Sequence, residues 1–196
     1  MGERMNDLRQ IDAFRLLDFD ARLEREAMEQ VADGIAVLFD IEAPRERIGL
    51  IVASDDAGTA TSVQFWSDAV RIGVAVASPE LFPWCLANAP CGALARRFRI
   101  TGPNSTLLGE SDALLAALDA ATDQISLRQI DAALVVALCF ADLHHGGKVL
   151  ALRLCAANGR HALDTSALRT PAAPVPLRVA IEILRMQLVA AFAVDG

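Results

Sequence analysis

The sequence predicts an α/β fold: a single layered domain with a mixed sheet of about five strands, helices on both faces of the sheet, and an amphipathic helix near the C-terminus. Continuous apolar runs alternate with stretches of helical periodicity, as in layered α/β domains. The apolar runs lack polar alternation, which is typical of strands covered on both faces. No low-complexity linker or internal repeat divides the 196 residues, so we expect one domain over 1–196.

The first half of the chain predicts a helix on either side of a strand. Apolar residues recur at helical spacing over 23–38, after Asp20 as the expected N-cap. The continuous run Ile48–Ala53 predicts a strand that is buried on both faces. A second helix is predicted over 61–72, and its apolar side carries Val63, Trp66, Ala69 and Val70.

The middle of the chain predicts a helix, a short strand and a further helix. Asn88 is the expected N-cap of a helix that ends near Arg97, because asparagine caps well and a proline is tolerated in the first turn. The turn Gly102-Pro103-Asn104 then leads into a short strand, Ser105–Leu108. Helical periodicity follows over 111–122.

The last third of the chain predicts two strands and the C-terminal helix. Ala132–Phe140 is a buried strand by its composition, and Val149–Cys155 follows it, before the hairpin turn signal Asn158-Gly159. Three prolines exclude regular structure over 169–176. The final helix is predicted over 177–194, and its apolar side aligns Leu177, Ile181, Leu184 and Leu188.

Composition and charge exclude several classes of function. The net charge is −7 and arginines supply 17 of the 18 basic residues in scattered positions, so nucleic acid and anionic membranes are not expected partners. The longest apolar run, Ala132–Ala141, has ten residues, whereas a membrane span needs roughly 20. The N-terminus lacks the apolar core of a signal peptide, so we expect a cytoplasmic protein.

No cofactor or metal is expected from the sequence motifs. The spacing of the cysteines matches no zinc pattern, and no glycine-rich phosphate-binding motif occurs. We expect the thiols to be reduced and largely buried. The four cysteines are Cys85, Cys91, Cys139 and Cys155.

An ordered set of short motifs extends from Ser78 to Phe140. The set comprises Ser78-Pro79, Phe82-Pro83, Asn88 at a helix start, Gly102-Pro103, the strand Ser105–Leu108 and the helix from Ser111. In this order the motifs resemble the N-terminal half of β-ketoacyl synthases, which have the thiolase fold. The upstream run IGLIVAS and the downstream run DAALVVAL extend the resemblance to about 20–154. It implies a half thiolase-like layered domain, followed by a C-terminal hairpin and helix over 148–194.

The resemblance has two departures that bear on function. The position of the family's acylated cysteine is Ser111, between Glu110 and Asp112. Active members also use two histidines and a lysine from a C-terminal half that this sequence does not contain. The sequence is most similar to short ketosynthase-like proteins with Gly-Glu at this site, which accompany complete ketosynthases in bacterial type II polyketide or aryl-polyene gene sets.

The resemblance therefore implies a non-catalytic accessory protein that is similar to a chain length factor in polyketide, aryl-polyene or fatty-acid-like biosynthesis. Its expected partners are a second copy or a complete ketosynthase, with an acyl carrier protein as a further partner. Two alternatives remain open. One is an acyltransferase or hydrolase with Ser111 as nucleophile and a histidine from positions 144–145 as base, and the other is a purely structural relic.

Physical chemistry favours a structural role for Ser111. The positive end of a helix dipole stabilises a thiolate, whereas a serine hydroxyl ionises too weakly and needs an adjacent base. The acidic neighbours Glu110 and Asp112 would raise the pKa of a thiol at this position. We therefore expect Ser111 to be a plain N-cap, at which Ser111→Asp would be tolerated.

Other chemistry-bearing residues have plainer interpretations. His144-His145 after Asp142 predicts an exposed polar turn, and Asp55-Asp56 a solvated loop after a strand. The aromatic residues around 65–84 are expected either in the core or, with Asn88, around a pocket for an aryl or polyene chain. These pocket candidates are Phe65, Trp66, Phe82, Trp84 and Asn88.

The short strand predicts a dimer interface. In the family that the sequence resembles, the matching strand pairs antiparallel with its copy across a two-fold axis. The segment carries no charge to protect an exposed edge, so its free backbone groups can pair with another chain. The expected interface strand consists of Ser105, Thr106, Leu107 and Leu108.

Overall fold

The computed structural model describes residues 10–142, 144–155, 161–163, 165–168 and 173–193. Six strands and five α-helices are described in these ranges, with short 3-10 turns between them. In chain order they are β1 (Gln10–Phe19), α1 (Glu24–Ile35), β2 (Ile48–Ser54), α2 (Thr59–Ile72), α3 (Ala89–Arg97), β3 (Asn104–Leu108), α4 (Ser111–Ser126), β4 (Ala132–Cys139), β5 (Gly147–Cys155), β6 (His161–Ala162) and α5 (Leu177–Ala193).

The strands form one mixed sheet in the order β3-β2-β4-β5-β1-β6. Strand β2 is parallel to both β3 and β4, whereas the pairs β4–β5, β5–β1 and β1–β6 are antiparallel. Strand β6 has only two residues, so five strands carry the sheet. This confirms the predicted α/β class with a mixed sheet of about five strands.

Helices cover both faces of the sheet. Every residue of β2 and β4 is buried. Ile51 and Val135 belong to the core that contains residues of α4 and α5, whereas Leu50 and Val52 belong to the core on the side of α1 and α3. Because side chains alternate between the two faces and both faces are covered, the two strands are apolar on both faces, with Ser54 at the end of β2 as the polar exception.

The C-terminal helix packs as predicted. Leu177, Ile181 and Leu184 are fully buried, and Leu188 is nearly so. They lie in one core with the sheet residues and with α4. Helix α5 therefore covers the sheet face that this core occupies, next to α4.

Strand β1 was not predicted, and it changes the topology at the C-terminus. It pairs with β5 over almost its whole length and with β6 on its other edge. The predicted turn Asn158-Gly159 lies outside the described residues. The expectation of a C-terminal hairpin is nevertheless wrong, because β4 and β1 occupy both edges of β5, and β6 pairs with β1 instead.

Helix α2 lies with its predicted apolar side towards solvent. Only Thr61 and Ala69 are buried, whereas Trp66 is 64% exposed and Val70 82%. A polar contact holds the helix start: the buried carboxylate of Glu24 accepts from the N–H groups of Ala60 and Thr61, at 3.2 and 3.1 Å, and from the Thr61 hydroxyl. The core interpretation is therefore wrong for most of this helix side.

Two helix starts differ in detail from the prediction. Helix α1 begins at Glu24 with Leu23 in the cap position, because β1 continues to Phe19 and the connecting residues follow it. Asn88 does occupy the cap position of α3, and its carbonyl accepts from the N–H of Gly92, but its side chain makes no cap hydrogen bond.

Within the described ranges, no helix is both long and apolar enough to cross a bilayer.

Candidate functional site

Residue 111 lies where the carboxyl ends of β2 and β3 meet the start of α4. Gly109 links β3 to the helix with a φ of +151°, a conformation that favours glycine. Its N–H donates to the carbonyl of Ser54 at the end of β2, at 3.0 Å. This tight turn brings Glu110 and Ser111 to the edge of the sheet where α/β proteins commonly place their sites.

Ser111 is buried and hydrogen-bonded to the segment that precedes α5. The residue is 1% exposed, and its N–H donates to the carbonyl of Val175 at 2.9 Å. The Val175 N–H donates in turn to Ser111 Oγ at 2.9 Å. Glu110 occupies the cap position of α4, so Ser111 does not cap the helix as predicted. The hydroxyl is directed to a distant part of the chain, which sequence spacing does not reveal.

The two acidic neighbours of Ser111 have different roles. Glu110 Oε2 accepts from the N–H of Leu177 at 2.8 Å, so this carboxylate caps the first turn of α5. Asp112 Oδ1 accepts from the N–H of Ala113 at 3.0 Å and remains on its own helix. The sequence singled out both residues as flanking a vestigial nucleophile. The structure assigns Glu110 a contact between α4 and α5.

A second polar cluster lies at the ends of β2 and β4. Removal of part of the carboxyl from water, together with the hydrogen bond and the charge of Asp56, raises the pKa of Asp55 to about 7. Burial, followed by the charge of Asp55, raises the pKa of the Cys139 thiol far above its usual range.

Arg178 of α5 donates to the carbonyls of Phe140 and Gly146, at 3.3 and 2.8 Å. The arginine thereby fixes α5 to the β4–β5 connection.

The histidine loop forms the exposed turn that the sequence predicts. Asp142 Oδ1 accepts from the N–H groups of His144 and His145, at 2.6 and 2.8 Å. These bonds and the His145 ring lower the pKa of Asp142 to about 2. The Nδ1 atom of His145 thus lies 3.2 Å from the carboxylate oxygens of Asp142, and its side-chain contact is with Asp142 rather than with Ser111. No group of three or more metal-binding side chains occurs in the described part of the chain.

Three of the four cysteines have thiol pKa values raised by burial: Cys91, Cys139 and Cys155. All four are free; Cys91 and Cys139 are buried, and Cys85 and Cys155 are half-buried. Burial raises the pKa of Cys91 and of Cys155 to about 11, so both remain thiols at neutral pH.

The aromatic pocket candidates lie on two different surfaces. The rings of Phe65 and Phe82 contact each other with centroids 5.8 Å apart, but Trp66 exposes 64% of its surface and Phe82 57%. Trp84 instead lines a groove of about 420 Å³. The other residues of this groove are Arg25, Met28, Glu29, Ala32, Asp33, Ala93 and Arg97. Asn88 is exposed at the start of α3, so the structure does not gather the five candidates around one cavity.

The predicted interface strand lies at an edge of the sheet. Of the described strands, β3 pairs with β2 alone, which leaves its other backbone edge available. Leu108 at its end is 57% exposed, and Ser105 is exposed as well. The geometry that a strand-to-strand interface requires is therefore present.

Sequence reasoning missed the segment that contacts Ser111, although its prolines carried a signal. Pro174 and Pro176 have no N–H groups, so Val175 and Leu177 supply the donors of this stretch. Both donors are used, by Ser111 Oγ and by Glu110 Oε2. Glu110 and Ser111 are polar residues at the start of an apolar helix, which fits such a contact. Nothing in the local sequence pattern identifies Val175 and Leu177 as their partners.

Comparisons with known proteins concern the fold. No family model matches the sequence. No curated protein sequence matches it either. A chain in the complex of the ketosynthase ApeO with its chain length factor ApeC from Xenorhabdus doucetiae matches at a TM-score of 0.63 and 13% identity, over 91% of this chain and 92% of that chain.

Two further structures match over a smaller part of their own length. A chain of the ishigamide ketosynthase/chain length factor matches at a TM-score of 0.53 and 15% identity, over 63% of this chain and 39% of that one. A β-ketoacyl synthase from Burkholderia phymatum STM815 matches at 0.53 and 10% identity, over 69% and 42%. This chain thus spans about two fifths of those proteins. The similarities confirm the predicted thiolase-like fold, of the kind that ketosynthases and chain length factors share.

Proposed function

We propose that this protein is a non-catalytic accessory subunit, similar to a chain length factor, that pairs with a complete ketosynthase in bacterial polyketide, aryl-polyene or fatty-acid-like synthesis. One observation carries the proposal: Ser111, which the sequence resemblance aligns with the ketosynthase nucleophile, is buried, and its hydroxyl accepts a hydrogen bond from the chain's own backbone. A condensing enzyme needs an activated nucleophile that its substrate can reach.

The structural match in the Xenorhabdus doucetiae complex supports the accessory role. The chain in the Xenorhabdus doucetiae complex has nearly the length of this one, since the match covers almost all of both. The Burkholderia phymatum ketosynthase is more than twice as long as the part that matches. Similarity to a chain in a complex of a ketosynthase with its chain length factor favours a partner subunit.

The exposed apolar surface supports a protein partner. Helix α2 and the 3-10 turn that contacts it, Phe82–Cys85, expose several large apolar side chains close together along the chain. Single exposed apolar residues are common on monomers, but such a concentration is typical of an interaction surface. Each of these residues exposes more than half of its surface: Val63, Trp66, Val70, Val74, Phe82 and Leu86.

The contacts of Ser111 weigh against the enzymatic alternative. A serine nucleophile needs a base within hydrogen-bond reach of its Oγ. The recorded partner of Ser111 Oγ is the Val175 N–H, which is a donor and cannot accept the serine proton. The turn with His144 and His145 is instead organised by Asp142.

Co-expression tests the proposal against the relic interpretation. The protein is produced with a complete ketosynthase and an acyl carrier protein encoded near its gene, purified by a tag on the ketosynthase, and weighed by native mass spectrometry. We expect a heterodimer of one copy of each chain. Recovery of the ketosynthase without this protein, at micromolar concentrations of both, would contradict the proposal and favour a relic.

A matched pair of variants locates the surface. Leu108 at the end of β3 and Leu127 after α4 are both exposed leucines, at 57% and 68%. Leu108→Glu is expected to abolish the heterodimer because it places a charge at the free sheet edge, whereas Leu127→Glu leaves the heterodimer intact. Equal yields of complex from the two variants would exclude the β3 edge as the interface.

A further inference from the structure

The segment Ala173–Leu177, called the strap here, lies across the start of α4. Its hydrogen-bonding capacity is limited, because prolines occupy positions 174 and 176. The donors that remain at Val175 and Leu177 both bond to residues at the start of α4. The carbonyl of Val175 accepts from the Ser111 N–H as well, so the backbone of Val175 pairs with Ser111 in both directions.

The strap is fixed at its carboxyl end by the helix that follows it. Leu177 is fully buried in the core below α5. The next residue, Arg178, holds the β4–β5 connection through the carbonyls of Phe140 and Gly146. These contacts hold the carboxyl end of the strap in place. Movement of the strap away from α4 therefore requires its bonds to Glu110 and Ser111 to break.

We propose that the strap is a built-in occupant of the space in front of position 111, and that Glu110 is the residue that latches it. The strap closes the start of α4 to acyl chains and to other reagents. The inference concerns this chain alone, so it stands or fails independently of pairing with a ketosynthase.

Glu110 suits the latch role for two physical reasons. Its carboxylate accepts the first N–H of α5, a group that has no partner within the helix. The negative charge also lies at the positive end of the α5 dipole, where it is stabilised. Without this carboxylate, the pairing between Val175 and Ser111 is the remaining bond between the strap and the start of α4, and the strap opens more often.

A cysteine reporter measures the closure. Ser111→Cys is introduced into the full chain, which is treated with iodoacetamide at pH 8, and alkylation at position 111 is followed by peptide mass spectrometry. We expect alkylation of the folded reporter to be at least about 100-fold slower than in the urea-unfolded chain, because reaction requires local opening. Equal rates in the folded and the unfolded chain would overturn the proposed closure.

A matched pair of variants tests the latch. Glu110→Ala in the reporter is expected to accelerate alkylation about tenfold, through loss of one charge-assisted hydrogen bond at the helix start. Asp112→Ala removes the same charge from the same turn without touching the strap, so we expect a change of no more than about twofold. Equal acceleration by the two variants would show general fraying of α4 and overturn the role of Glu110.

Hydrogen exchange tests the inference without the reporter. In the natural chain, the amides of Ser111 and Leu177 are expected to be protected, and Glu110→Gln, which keeps an acceptor but loses the charge, should reduce their protection without unfolding the protein. Unprotected amides at both positions in the natural chain would overturn the closure, whatever the variants show.

Discussion

The role of Ser111 depends on one hydrogen bond from another part of the chain. Ser111→Ala removes the acceptor of the Val175 N–H, and we expect it to lower the free energy of unfolding by about 1–2 kcal/mol. Ser111→Asp should be more destabilising, because the position is buried and the new carboxylate would lose hydration. Urea unfolding of the three proteins measures both effects. A plain N-cap would tolerate aspartate, so an aspartate variant as stable as the natural protein would contradict the structural assignment.

Asp55 makes stability depend on pH. Its pKa in the folded state is about 7, above that of the unfolded chain, so between about pH 4 and pH 7 the folded state binds more protons. Stability contributed by this group therefore falls as the pH rises through that window. We expect Asp55→Asn to flatten the dependence of the melting temperature on pH between 5 and 8. Asp112→Asn removes a carboxylate outside the Asp55–Asp56 pair, so it is the control and should leave the slope unchanged.

At the scale of the elements, the predicted homodimer depends on the edge strand β3. An edge strand whose outer backbone groups are available can pair with its copy across a two-fold axis, and a stable interface of this kind buries on the order of 1,200–2,000 Å². Thr106→Pro removes a backbone donor from the strand, so it should dissociate or unfold the dimer. Light scattering at micromolar concentration measures the mass. A monomeric mass for the natural protein would rule out the homodimer.

Helix α5 stabilises the sheet face that it covers. Leu184 is fully buried on this helix, whereas Met186, two residues further along, is 63% exposed. Leu184→Ala is expected to lower the free energy of unfolding by about 2–5 kcal/mol, because it leaves a cavity between α5 and the sheet. Met186→Ala on the same helix should change it by less than about 0.5 kcal/mol. Similar losses in the two variants would indicate that α5 is not packed as described.

For the molecule as a whole, we expect no decarboxylative condensation by this protein alone. Incubation with malonyl- and acyl-carrier protein, followed by mass spectrometry, should yield no β-ketoacyl product. Ser111→Cys should not restore turnover, because a thiol at this position still faces the strap and is buried. Product formation by either protein would contradict the proposed function.

The local sequence pattern predicted the strands that are buried on both faces and the helix that is buried along one side. Strands β2 and β4 are covered on both faces, so their residues are apolar except for Ser54 at the end of β2, and the run is visible in sequence. Helix α5 has one buried side, and its period is equally clear. Strand β1 was missed because it mixes apolar residues with Asp12, Arg15 and Asp18, and its neighbours in the sheet come from the far end of the chain.

The sequence by itself determined the class of fold and singled out Ser111 as the residue to examine, because apolar periodicity and short turn motifs are properties of neighbouring residues. Only the tertiary structure decided that the strap lies against Ser111, and that most of the apolar side of α2 faces solvent. Ser111 and Val175 are 64 residues apart, as are Arg97 and Asp33. Contacts at such separations depend on how the layers bring the chain back on itself, and local preferences do not encode that return.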